Sequence, residues 1–120
     1  MDYTSENFTR KIEPFRWAFD GEVQYTLYLE IANGYLSDLF QTRAEEGFLG
    51  NGYDWEALAE IFLAEIYEGE DESFEFDSEA DTFIVYSEDG ASLSDFALAF
   101  REACEDRALI ADLFTRAELR

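Results

Sequence analysis

The chain has 120 residues, of which 29 are Asp or Glu, 8 are Lys or Arg and none is His, for a formal charge of −21. With 48% apolar residues and 12 Phe, 7 Tyr and 2 Trp, it has ample material for one core, so intrinsic disorder is excluded and a single domain over 1–120 is expected. Without histidine, the commonest general base and transition-metal ligand are both missing. The usual serine and cysteine triads lose their partner, and we expect no enzyme.

The first element is Phe15–Asp20, where bulky rings alternate with smaller or polar residues as on a half-buried strand. Asp20-Gly21 reads as a turn into a second strand, in which Val23, Tyr25, Leu27, Leu29 and Ile31 alternate with polar neighbours. The two form a hairpin that Asn33-Gly34 closes. From Tyr35 to Glu46, Leu36, Leu39, Phe40 and Ala44 recur at helical spacing, and Gly47 is placed to stop that helix.

Gly50-Asn51-Gly52-Tyr53 reads as a tight turn with Asp54 as the cap of the next helix. Trp55, Leu58, Ala59, Phe62 and Ile66 make that helix's apolar stripe, and Gly69 closes it. The turn lacks the Lys-Ser/Thr of a phosphate-binding loop and sits among acids that repel phosphate.

Residues 44–100 hold 17 of the 29 acids and no base, so most of the net charge belongs to this stretch. The acids condense at Glu68, Glu70, Asp71 and Glu72, ahead of a second hairpin formed by Phe74–Asp77 and Thr82–Tyr86. Alternation turns Phe74 and Phe76 to one face and Glu75 and Asp77 to the other, which should be strongly negative. Asp77, Glu79, Asp81 and Glu88 match part of a calcium-loop pattern. The position that needs glycine is Thr82, however, and the flanks read as strands, so no metal or cofactor is expected.

Ser92–Asp95 opens a further helix with Leu93, Phe96, Ala97, Phe100 and Cys104 on one face, and Leu109, Ile110, Leu113 and Phe114 mark a last one. Cys104 on that apolar face reads as a buried, inert thiol, and a lone cysteine agrees with a reducing compartment. The order ββααββαα favours an α+β fold, an antiparallel sheet built from two hairpins with helices packed on one face. No apolar run reaches membrane-spanning length, and the first residues lack a signal-peptide layout, so the expected location is the cytoplasm.

Massed like charges repel each other, so they point to a partner of opposite sign. Salt adaptation or a GC-rich genome yields a similar composition, but the aromatic content is heavy for a surface adjusted only for solubility. The candidate partner-binding residues are Glu70, Asp71, Glu72, Glu75, Asp77, Glu79 and Asp81, with Tyr53 and Tyr86 as aromatic contacts. Nucleic acids and anionic membranes share the sign of this surface and are disfavoured as direct ligands.

The segments GNGYDWEALA (50–59) and FDSEADTFIVYSED (76–89), with the isolated Trp17, resemble the immunity protein 51 family of bacterial polymorphic toxin systems. The resemblance spans most of the chain. It implies an antidote, made by the toxin's own producer, that binds and neutralises one cognate toxin domain. Neither segment is a catalytic signature, and both can be markers of the fold. The competing reading is an acidic DNA mimic of the anti-restriction or anti-CRISPR type, which places the same carboxylates in a basic cleft.

Overall fold

The computed structural model describes residues 6–67 and 74–119. Four antiparallel strands form one sheet in the order β1-β2-β4-β3: β1 Arg16–Phe19, β2 Tyr25–Glu30, β3 Glu75–Phe76 and β4 Thr82–Ser87. The helices are α1 Glu6–Lys11, α2 Ser37–Gln41, α3 Gly52–Glu65, α4 Gly90–Glu105 and α5 Arg107–Phe114. The α+β class and the two hairpins expected from the sequence are both present. The helix α1, ahead of the first strand, was not expected.

Pairing places Trp17 opposite Leu27, Leu27 opposite Val85 and Val85 opposite Phe76, so these residues share one face of the sheet. Leu27, Leu29, Phe83 and Val85 on that face are fully buried, and α3 and α4 pack over it. Arg16, Thr26, Tyr28, Ile84, Tyr86 and Glu75 occupy the other face, where none is buried. The hairpin between β1 and β2 is held by Asp20, whose Oδ1 accepts from the backbone N–H groups of Glu22, Val23 and Gln24 at 2.8, 3.0 and 3.0 Å. Those donors favour the ionised form and hold its carboxyl below the usual range.

The core is organised around Trp55. Its ring lies 5.7 Å from Phe15, 5.3 Å from Phe40 and 6.1 Å from both Phe83 and Phe100, so one side chain joins β4, α2 and α4. Aromatic pairs at these separations add about 0.5 to 1.5 kcal/mol each beyond area burial. Phe96 stacks on Phe100 at 5.3 Å and extends the cluster along α4 to Phe62 and Phe74. Phe8 meets Trp17 edge-on at 5.0 Å, which gives α1 its seat on the end of the sheet.

Local chemistry moves several helix boundaries from where spacing put them. The helix expected over 35–46 is split into α2 and a 3-10 turn at Ala44–Glu46, and Leu36, preceding α2, adopts a left-handed φ of 56°. The cap of α3 is Asn51, whose side chain accepts from the N–H of Asp54 at 2.9 Å. Asp54 lies inside the first turn and is buried. Its Oδ2 accepts from the N–H groups of Leu49 and Gly50 at 2.6 and 2.8 Å, a reciprocal arrangement that fixes the approach to the helix. Ile66, placed on the apolar stripe by spacing, follows the last turn and is exposed. Asp89 caps α4 three residues earlier than expected, accepting from Ser92 N–H at 3.0 Å, and Asp106 caps α5 through Leu109 N–H. Gly69 lies outside the described residues.

Gly52 has the least room of the described glycines. Its N–H donates to Ala80 O at 3.1 Å, and a Cβ built there meets Glu79 O at 2.0 Å and Thr82 O at 2.4 Å. The obstacle is backbone, so it has no rotamer by which to move away. Gly52→Ala should therefore destabilise the protein by about 3 kcal/mol despite alanine's better helix propensity. Gly34→Ala meets open space and costs only the left-handed conformation, about 1 to 2 kcal/mol. Denaturant midpoints measured side by side test this ranking; equal losses would show that the turn gives way.

Candidate functional site

The hairpin of β3 and β4 is the described part of the acidic stretch, and its geometry comes from a serine. Asp77 N–H continues the ladder to Ile84 O at 3.0 Å, but at the next position the Ser78 hydroxyl takes the Ile84 N–H at 2.9 Å. Ser78 turns its own N–H to Glu56 of α3 at 3.0 Å. Regular pairing thus ends after two residues of β3, and the chain passes through a turn closed between Glu79 and Thr82. With Gly52 bonded to Ala80, two contacts dock the hairpin on the first turns of α3.

Those sequence-predicted residues that are described fall into two groups on and beside this hairpin. Glu79 and Asp81 stand exposed on the turn, and Tyr53, also exposed, follows Gly52 at the start of α3 beside them. Glu75 and Tyr86 face each other across the strands at the other end, where the Tyr86 hydroxyl donates to Glu75 Oε2 at 2.5 Å. Asp77, exposed, lies between the groups. Glu70, Asp71 and Glu72 lie outside the described residues.

Ion pairs seen among the described residues lie elsewhere: Arg43 with Glu46, Arg101 with Glu105, Arg107 with Asp38, and Arg116 with Glu65 and Asp112. Asp77, Glu79 and Asp81 take part in none, and Glu75 meets only a neutral phenol. Their field therefore extends into solvent, limited by salt and not by a local cation. The middle of the open face is not acidic, however. Thr26, Tyr28, Ile84 and Tyr86 make it neutral and Arg16 adds a positive edge, so the negative charge lies along β3 and its turn and at Glu30, where β2 ends.

Much of the motif 50–56 is structural. Gly52 admits the turn, Asn51 caps the helix, Asp54 holds the preceding loop, Trp55 fills the core and Glu56 binds Ser78. Tyr53 alone of the five residues from 52 to 56 is an exposed side chain. Sequence spacing did not mark Leu49, which lies 81% exposed beside this motif. Its only signal was an apolar residue set between two glycines.

A concavity of about 790 Å³ opens near β1, lined in part by Glu13, Arg16, Trp17, Tyr28, Glu30 and Arg101. Its arginines and carboxylates are mixed, and Arg101 is engaged by Glu13 O and Glu105, so it has no field of one sign. The calcium-like spacing does not assemble into a loop: β4 extends between Asp81 and Glu88 and holds them roughly 20 Å apart at the usual strand rise. Cys104 is buried on α4, and burial pushes its thiol well above the ordinary range, which suits an inert side chain. Among the described residues no helix is long and apolar enough to cross a membrane.

A family model described as immunity protein 51 matches residues 15–119, which include the whole sheet and helices α2 to α5. No curated protein and no solved structure matches the chain.

The phenol of Tyr86 is held above its ordinary value, first by its hydrogen bond to Glu75 and then by that residue's charge. Phenol protonation thus supports the folded state fully below the unfolded value near 10, and the support is lost as pH rises through the folded value. Glu75→Ala should bring the Tyr86 titration down, as read by ultraviolet absorbance after subtracting the profile of a Tyr86→Phe variant. An unmoved titration would show that the cross-strand bond does not persist in solution.

Proposed function

The chain belongs to the immunity protein 51 family, and from that premise we propose that it binds and neutralises one cognate toxin domain through the acidic edge of the β3–β4 hairpin. Immunity proteins act by binding and as a rule are not enzymes. In this reading the toxin belongs to a polymorphic toxin system, and the complex forms in the cytoplasm of the producing cell and its kin.

The observation that carries the proposal is the row of exposed carboxylates Glu75, Asp77, Glu79 and Asp81, none in an ion pair, on a hairpin anchored to α3. A folded monomer gains nothing by collecting uncompensated like charges, whereas a basic partner supplies the missing counter-charges. The sequence-adjacent Glu70, Asp71 and Glu72 enlarge the same field.

A nuclease toxin fits this chemistry, because its cleft must be basic to hold a phosphate backbone. Carboxylates spaced along a strand edge and its turn compete for that cleft, and Tyr53 and Tyr86 add apolar contact at the two ends of the row. The charge steers encounter, raising association by roughly 10 to 1000-fold at low salt. Such speed suits an inhibitor that must act before its target does.

Co-expression with the toxic domain encoded beside this gene should restore growth to a susceptible cell, and the two proteins should co-purify. Replacing Glu75, Asp77, Glu79 and Asp81 with Lys should slow association at least 10-fold at low salt, with an unchanged circular dichroism spectrum and a flatter salt dependence. A folded wild-type chain that fails to rescue would reject the neutralising role. Normal association of the reversed variant would move the interface off this hairpin.

A further inference from the structure

We infer that Tyr53 and Leu49 form the apolar anchor of the toxin interface, taken up by a pocket in the partner's basic surface beside the acidic turn. The inference rests on the proposed neutralising function and adds the part of the surface that resists dissociation.

Leu49 is 81% exposed, Tyr53 is 43% exposed and Leu119 is 46% exposed. Scattered exposed leucines are ordinary, but these three belong to adjoining pieces of backbone. Leu119 Cδ1 lies 3.1 Å from the position of a Cβ on Gly47, at the start of the loop that carries Leu49, and Tyr53 follows that loop at the head of α3.

The loop is held in place. Gly47 and Gly50 take left-handed φ values of 110° and 79° on either side of Leu49, and Gly50 packs on Phe40. The buried carboxylate of Asp54 grips the Leu49 N–H at 2.6 Å, so the leucine is presented to solvent from a fixed backbone. An anchor whose backbone is already ordered loses little entropy on docking, which is how a small contact acquires a slow off-rate.

The occupant follows from the surroundings. Gly52 N–H bonds Ala80 O, so the turn bearing Glu79 and Asp81 adjoins this backbone. A partner seated on Leu49 and Tyr53 meets those carboxylates at once and must offer basic residues around an apolar recess. That description fits the toxin face proposed above better than a second copy of this chain, whose acids would repel.

The test is stopped-flow and dissociation kinetics with the adjacent toxic domain in an inactivated form, using Leu49→Ala, Tyr53→Ala and, as an exposed apolar control, Val23→Ala in the distant β1–β2 turn. Leu49→Ala and Tyr53→Ala should each raise the dissociation rate at least 10-fold with association within twofold of wild type. Val23→Ala should change neither, and thermal midpoints should be unaltered throughout. Unchanged dissociation in both anchor variants, with association still slowed by charge reversal on the hairpin, would overturn the anchor and leave the acidic edge standing. Faster dissociation in those variants, with charge reversal inert, would support the anchor against the steering role. Absence of any complex with the wild-type chain would overturn the neutralising function and the anchor together.

Discussion

The backbone bond from Gly52 to Ala80 is the constraint on which the rest of the molecule depends. It brings the head of α3 against the turn of the second hairpin at a distance no other residue type tolerates. From there Trp55 reaches the middle of the core three residues on, and Glu56 reaches Ser78 one residue further. One close approach thereby sets the depth of the central aromatic cluster, the shortness of β3 and the position of the acidic turn. The surface charges owe their arrangement to an apolar fit beneath them.

Charge is handled differently in the two halves of the fold. Arginines fasten the helical side: Arg43 donates to the carbonyls of Phe114 and Ala117, lies over the rings of Phe48 and Phe114, and pairs with Glu46. Arg116 bridges α3 and α5 through Glu65 and stands next to Asp112. Exposed pairs of this kind are worth little singly, but they place cations where neighbouring acids need them. The β3–β4 hairpin has no such cations, and its acids rely on solvent. A partner that supplies positive charge therefore finds the hairpin acids free of internal competitors.

The strands and the apolar faces of α3 and α4 were legible because period-two and helical spacing are written directly in residue type. The Phe74 and Phe76 against Glu75 and Asp77 alternation held through the edge strand. What spacing missed were decisions made by single polar side chains. Asn51 and Asp54 are both good caps, and only their tertiary setting shows that the first caps α3 while the second is buried beneath the loop. Ser78 ends β3 by an exchange of hydrogen bonds with α3, a contact between elements far apart in sequence. The helix α1 is short, and its Phe8 gains meaning only once Trp17 is in place. Of the candidate carboxylates, Glu75, Asp77, Glu79 and Asp81 were readable as exposed positions of the second hairpin. The neutral middle of the open face and the exposed Leu49 required the register and the loop geometry.

The brevity of β3 bears on how the protein behaves when it is abundant. A sheet edge is a template on which another chain can add a strand, and long, flat, apolar edges propagate into aggregates. Here the outer strand offers two residues of regular pairing before Ser78 diverts the backbone, and the exposed carboxylates of Glu75 and Asp77 stand on it and just after it. A second molecule approaching that edge finds few free backbone groups in register and a charge of its own sign. Raising the concentration of the chain therefore does not seed self-assembly through β3.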